Sequence, residues 1–115
     1  MAEFLNPFSG VVPGRKLTLR ELTRAIRLTL SAEQEAVHLY EALADATDHP
    51  LAKAVLQDIA NEERVHAGEF QKLINILLPD EEGYLAQGSA EVTEMAEALE
   101  KRGAAPADAG GPDVP

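Results

Sequence analysis

Two long stretches with the apolar spacing of α-helices flank one break at residues 47–50 (Thr-Asp-His-Pro), and this arrangement constrains the fold most. Upstream, Thr18 and Glu21 match the capping-box pattern that begins many helices. No Pro or Gly follows them until the break. Since an unbroken apolar period of this length is typical of a helix, the sequence predicts one helix over Leu19–Ala46.

The second stretch begins at the break and matches the first in length. Asp48 is expected to cap it, because a short acid before a helix accepts a bond from a free backbone N–H. Pro50 is tolerated in a first turn, and Pro79 should end the helix near Leu78. Two helices of equal length joined by a tight turn predict an antiparallel hairpin.

The rest of the chain is predicted to form shorter segments on either side of the hairpin. Residues 1–16 contain two Pro and two Gly and predict an irregular arm. Residues 80–88 predict a turn-rich linker, followed by a short third helix over residues 91–102. Residues 103–115 are rich in Ala, Gly, Pro and Asp and predict a disordered tail. The domain organisation is therefore an arm, an all-α hairpin domain with its third helix over residues 17–102, and a tail.

The composition excludes several classes of function and partner. Hydrophobic residues make up 45% of the chain and aromatic residues only 4%, which favours packed helices over a β-sandwich. The chain has no Cys, which excludes thiolate metal sites and thiol catalysis and is consistent with the cytoplasm. Its formal net charge is -10, and residues 31–100 hold sixteen acids against three bases. So acidic a body disfavours nucleic acid and anionic membrane as partners and attracts cations.

Each predicted helix has an apolar stripe that ionisable residues interrupt near its middle. Glu33 precedes the break as far as Glu63 follows it, so both carboxylates are expected at one level of the hairpin. His66 lies one turn beyond Glu63 on the same face. The stripes are Leu22, Ile26, Thr29, Glu33, Ala36, Tyr40 and Leu43 on the first helix, and Leu56, Ile59, Glu63, His66, Phe70, Leu73 and Leu77 on the second.

This constellation predicts half of a di-iron carboxylate site. Such bundles use one Glu from each of two helices and a Glu-x-x-His from each of two others. Glu63 and His66 form one Glu-x-x-His and Glu33 supplies one Glu, so two copies meeting face to face as a four-helix bundle would complete the site. One His per metal among carboxylates suits Fe better than Zn and leaves Mn possible. The rival interpretation is a Glu–His ion pair in a polar core network.

Neighbouring residues have weaker assignments. Tyr40 lies two turns from Glu33 and has two equally weighted interpretations: a residue that hydrogen-bonds a ligand or donates an electron near the iron, or a core tyrosine. Glu35 is expected on the surface, where it could help to collect cations. Glu69 is a candidate to steady His66 from outside the ligand set.

Two segments resemble the encapsulated ferritins, which are ferritin-like cargo proteins of encapsulin shells. They are residues 32–40 (AEQEAVHLY) and residues 61–67 (NEERVHA). The resemblance extends over residues 18–100. It implies a ferroxidase that oxidises Fe(II) to Fe(III) between two subunits, with Glu33, Glu63 and His66 as ligands and Tyr40 close by.

The same resemblance implies partners and a location. Members form ring-shaped homodecamers of five dimers, and an encapsulin shell holds the iron that they oxidise. This implies iron storage inside an encapsulin nanocompartment in the cytoplasm.

The chain also departs from the family. Ala32 stands where members often have an acid, so only Glu35 remains for a secondary iron-access site. Leu39 replaces a frequent aromatic residue. Residues 111–115 show no apolar shell-docking peptide, which leaves truncation, docking through another segment, or a protein that is not cargo. Two other functions stay open, a rubrerythrin-like di-iron peroxidase and a helical scaffold without metal.

Overall fold

The computed structural model describes residues 14–103, which form three helices and contain no strand. Helix α1 spans Leu19–Ala46, α2 spans Pro50–Leu77 and α3 spans Glu81–Lys101. The predicted all-α class is confirmed, and both bounds of α1 agree with the prediction. Most of the predicted arm and nearly all of the predicted tail lie outside the described residues.

A capping box begins α1 as predicted. The backbone N–H of Glu21 donates to the Thr18 hydroxyl at 3.2 Å, and the backbone N–H of Thr18 donates to the Glu21 carboxylate at 3.0 Å. Both guanidinium branches of Arg15 donate to that carboxylate at 2.7 Å. These hydrogen bonds, the Arg15 bond first, lower the pKa of Glu21 to about 2.

The start of α2 corrects one prediction, because Asp48 is not its cap. His49 occupies the N-cap position, and its Nδ1 accepts a hydrogen bond from the backbone N–H of Ala52 at 3.2 Å. The cause is Pro50, which takes the first helical position and so makes its predecessor the cap. Asp48 is one residue too early to reach the free N–H groups.

Helices α1 and α2 pack as a hairpin whose seam is built largely from small residues. Alanines let the two backbones approach closely, and isoleucines fill the space at the open end. Near the turn, the Lys53 ammonium donates to the Ala44 carbonyl at 2.7 Å and ties the helices together. The buried residues of the hairpin are Thr23, Ile26, Ala44, Ala60, Ala67 and Ile74.

Helix α3 begins ten residues earlier than predicted, at Glu81 rather than Glu91. Residues 80–88 were predicted to be a linker because Gly83 and Gly88 interrupt them. An interior Gly costs a helix only about 1 kcal/mol, however, and the acids at positions 81 and 82 favour the helix N-terminus. Gly103, with φ of 74°, follows the last turn, as predicted. Within residues 14–103, no helix is long and apolar enough to cross a membrane.

Candidate metal centre

Three side chains that could bind a metal converge near the middle of the hairpin. Glu33 comes from α1, whereas Glu63 and His66 come from successive turns of α2. One ligand atom from each lies within 4.8 Å of the other two. This is the only such group of three or more His, Cys, Asp or Glu side chains among residues 14–103. The predicted level of Glu33 and Glu63 therefore agrees with the geometry.

The three side chains approach one another without forming hydrogen bonds. Nδ1 of His66 lies 3.9 Å from Oε2 of Glu33 and 3.8 Å from Oε1 of Glu63. Both separations exceed the limit of about 3.2 Å for an N–H···O hydrogen bond. Oε2 of Glu33 is buried and has no hydrogen-bond partner. A buried carboxylate oxygen without a donor is costly, so this atom needs a positive group that the side chains do not supply.

A divalent cation fits these separations and these donor types. Carboxylate and imidazole ligands lie about 2.0–2.2 Å from such an ion, so ligand atoms across it are about 4 Å apart. Two carboxylates and one imidazole are a hard, oxygen-rich set that suits iron or manganese. The Glu33 and Glu63 side chains are 21% and 19% exposed, whereas His66 is 47% exposed. The site is therefore open on one side.

Exposed leucines share the helix stripes of the candidate ligands. Leu22 and Leu43 on α1, and Leu73 on α2, belong to the same two stripes as the candidate ligands and stay more than one-third exposed. Of the predicted stripe residues, Ile26 is buried in the hairpin, whereas these three leucines stay at its surface. One hairpin leaves this face uncovered, and the three polar groups lie in its middle.

A polar network around Arg64 was not predicted. Arg64, the neighbour of Glu63, pairs with Glu41 of α1 and also donates to Asn61 at 3.3 Å. Gln57 donates to the same Asn61 oxygen at 3.1 Å. Arg64 and Glu41 lie at different heights of the hairpin, so sequence spacing gives no signal for their contact.

The remaining predicted residues stay apart from the cluster. Glu35 is exposed on α1 and is not one of the three clustered side chains. Glu69 is exposed on α2. Tyr40 is half-buried on α1, and its proximity to iron stays a prediction.

Comparisons with known proteins show the family of this chain. The family model described as Rubrerythrin matches residues 22–105. The encapsulin nanocompartment cargo protein EncC of Myxococcus xanthus is 46% identical over 112 residues, which cover 90% of this chain and 85% of the relative. A ferritin-like–encapsulin shell fusion protein of Pyrococcus furiosus is 37% identical over 78 residues. That match covers 68% of this chain but only 23% of the fusion.

A solved structure has the same architecture. The crystal structure of the encapsulated ferritin domain from Pyrococcus furiosus matches with a TM-score of 0.72 and 32% sequence identity. The match covers 84% of this chain and 97% of that one. The chain therefore belongs to the rubrerythrin family and, within it, to the encapsulated ferritins.

Proposed function

We propose that the protein is a ferroxidase that oxidises Fe(II) to Fe(III) at a di-iron site shared by two copies of the chain. One observation carries the proposal: Glu33, Glu63 and His66 converge within 4.8 Å, and the buried Oε2 of Glu33 has no hydrogen-bond partner. Fe(II) is the substrate: each of two Fe(II) ions gives one electron to a dioxygen molecule, which takes up two protons and leaves as hydrogen peroxide.

The three side chains have different tasks in this proposal. Glu63 and His66, one turn apart on α2, bind one iron per chain and hold it against the hairpin. Glu33 would bind iron from α1, and its carboxylate has a second oxygen that could serve the other iron. Since both carboxylates are charged, they favour Fe(III) over Fe(II) and so favour loss of the electron.

A second copy completes the site. One chain offers one Glu and one Glu-x-x-His, whereas a di-iron carboxylate bundle needs two of each. A two-fold axis through the open face supplies the missing ligands and covers the half-exposed leucines at once. The product is a four-helix bundle around two irons, and by family resemblance five such dimers form a ring.

The names of the relatives support a role in iron storage inside an encapsulin shell. One is an encapsulin nanocompartment cargo protein, and the other joins a ferritin-like domain to an encapsulin shell protein. In this proposal the chain is cargo in the cytoplasm, it oxidises Fe(II) that enters the shell, and the shell retains the Fe(III).

The ferroxidase test uses four variants. Glu33→Ala, Glu63→Ala and His66→Ala each remove one ligand from both halves of the site and should reduce Fe(II) oxidation in air almost to the protein-free rate. Glu62→Ala is the matched control, since Glu62 is an exposed acid beside Glu63 and lies outside the cluster. The Fe(III) absorbance and oxygen consumption give the initial rates. Unchanged rates in the three ligand variants would reject the site.

The match to the rubrerythrin family model favours one second candidate, a di-iron peroxidase. The same site would then reduce peroxide with electrons from Fe(II). Fe(II) oxidation driven by dioxygen and by hydrogen peroxide separates the two functions. Under the ferroxidase proposal the protein accelerates the reaction with dioxygen, and under the alternative it accelerates only the reaction with peroxide.

A further inference from the structure

Arg64 of α2 and Glu41 of α1 form an ion pair that joins the two helices of the hairpin. One guanidinium branch of Arg64 bonds to the Glu41 carboxylate. The other branch donates to the side-chain oxygen of Asn61 at 3.3 Å, and that oxygen also accepts a hydrogen bond from Gln57 at 3.1 Å. Since both branches are bonded, the direction of this arginine is more restricted than that of an arginine with a single contact.

Around α2, the ion pair and the candidate ligands lie on the two sides of buried alanines. At about 100° per residue, Arg64 lies about 100° to one side of Glu63, whereas His66 lies about 60° to the other side. The buried Ala60 and Ala67 fall between Arg64 and Glu63. A rotation of α2 that separates the ion pair would therefore also move both candidate ligands.

The same order of residues is found around α1. Glu41 lies about 80° from Glu33, and the buried Ala44 falls between them at about 20°. The two helices thus meet along alanines, with the ion pair on one flank and the candidate ligands on the other. The ion pair acts on the opposite flank of the same helix contact that brings the ligands together.

The alanines themselves restrict the rotation of α2 only weakly. The side chains of Ala60 and Ala67 are single methyl groups, which do not interlock with a facing helix as large side chains do. Lys53 also links the helices, through the Ala44 carbonyl, but it does so near the turn and not at the level of the candidate ligands. Arg64 is the residue next to Glu63, so its ion pair restricts α2 where the ligands lie.

We infer that Arg64 and Glu41 are positioning residues for the metal centre. Their ion pair sets the rotation of α2 at which Glu63 and His66 face Glu33. Metal ligands must be held within about 0.5 Å of their productive positions, so a small rotation weakens binding. The inference rests on the proposed function in so far as these three side chains bind iron. An exposed ion pair adds little to stability, so the effect is expected in iron affinity and not in the fold.

Neutralising each partner separates positioning from simple electrostatics. Arg64→Gln removes a positive charge near the site, so charge attraction alone would strengthen Fe(II) binding, whereas lost positioning weakens it. Glu41→Gln should weaken binding as well. The Fe(II) dissociation constant, measured by anaerobic calorimetric titration, should rise about tenfold in each variant, as for other contacts that orient metal ligands. Unchanged or tighter binding by Arg64→Gln would overturn the inference.

Exchanging the two charges provides the rescue. Glu41→Arg with Arg64→Glu restores an ion pair of the same combined length, and the Asn61 amide can donate to the new carboxylate just as it now accepts from the guanidinium. Fe(II) affinity should return close to the native value. An affinity as low as in the single variants would assign their losses to another cause and overturn the inference.

Two control variants match the charge changes. Arg15→Gln breaks a different exposed ion pair, with Glu21 at the start of α1. Glu62→Gln neutralises an exposed acid beside Glu63. Both should bind Fe(II) nearly as the native protein does, and the thermal unfolding of all variants should stay close to native. Losses as large as those of the pair variants in either control would contradict a specific role of the pair.

Cross-linking of introduced cysteines tests the inference without iron. The chain has no Cys, so in Glu33→Cys with His66→Cys only the two new thiols react with a short bis-maleimide. Adding Arg64→Gln should slow the cross-link within one chain, which mass spectrometry separates from a cross-link between copies. The charge exchange should restore the rate, and an unchanged rate with Arg64→Gln would overturn the inference. Native protein that binds no Fe(II) would reject the proposed function, and the cross-linking rates would still decide whether the pair positions these side chains.

Discussion

Glu33 shows at the scale of one residue how a binding group can lower stability while no ligand is bound. Its Oε2 is buried without a donor in the described structure, although its own backbone is an ordinary part of α1. Burial favours such a group only when an ion or donor joins it. The orphaned Oε2 of Glu33 therefore destabilises the protein without a cation, and a bound cation would relieve that cost.

Glu33→Gln should separate these two effects. The amide removes the buried charge, so the metal-free protein should gain up to about 1 kcal/mol, a small gain because solvent still reaches the side chain. Iron binding should fall, since a neutral amide is a weaker ligand. Thermal unfolding and anaerobic iron titration measure both. Glu35→Gln, an exposed neighbour, is the control and should change neither quantity.

Tyr40→Phe should leave the number of bound irons unchanged. The hydroxyl is not assigned as an essential ligand, and Tyr40 is half-buried on the stripe, where a phenyl ring fills the same space. Iron per chain after anaerobic loading and desalting is the measurement. A loss of half or more of the iron would make Tyr40 a ligand.

At the scale of the helices, the N-terminus of α1 has a defined response to acid. The Arg15 and Thr18 contacts lower the pKa of Glu21 to about 2, well below its unfolded value near 4.5. A carboxylate with a lowered pKa stabilises the fold above its unfolded pKa, and that contribution is lost as pH falls through the folded pKa. The first turn of α1 should therefore fray between about pH 4.5 and 2.

Glu21→Gln should remove this pH dependence. The variant should show a frayed first turn already at neutral pH, because the amide loses the Arg15 ion pair. Amide hydrogen exchange in residues 19–23, compared between native protein and variant from pH 6 to pH 3, is the measurement. Equal protection in both proteins at pH 6 would contradict the account.

Gly88→Ala should stabilise α3. Gly88 lies inside the helix without a positive φ, and a Cβ added there meets nothing within 4 Å. Replacing an interior helical Gly by Ala is worth about 1 kcal/mol. Circular dichroism should show that the variant keeps its helix content to a higher temperature than the native protein. Gly103→Ala should have the opposite effect, because Gly103 has a φ of 74° that L side chains rarely adopt.

The limits of the helices show what local sequence signals can and cannot predict. The bounds of α1 were predictable because a capping box and a Pro mark its limits. The start of α3 was not, since two glycines suggested a linker and the energetic cost of Gly in a helix is small. The cap of α2 was missed because Pro50 fixes the cap one residue later than the acid that resembles one.

At the scale of the whole molecule, the candidate site follows from the symmetry of the hairpin. Counting residues from the turn brought Glu33 and Glu63 to one level without any knowledge of side-chain packing, and the structure places them together. The pairing of Arg64 with Glu41 could not be found this way, because it depends on side-chain reach across the seam. The roles of Glu33, Glu63 and His66 as metal ligands stay a prediction.

The proposed shared site would link iron binding to assembly. Without iron, pairing the apolar faces would bring several carboxylates together, and repulsion and desolvation would oppose it. Iron would remove that repulsion, and since only the paired form would offer the whole proposed site, iron binding would add to the free energy of association. Glu63→Ala removes part of the repulsion and should therefore pair without iron.

Sedimentation of the metal-free protein under anaerobic conditions, with and without Fe(II), tests the shared site most directly. The account predicts that Fe(II) shifts the protein from small species to a larger, even-numbered oligomer with one iron per chain. A metal-free monomer that remains a monomer at saturating Fe(II) would contradict it.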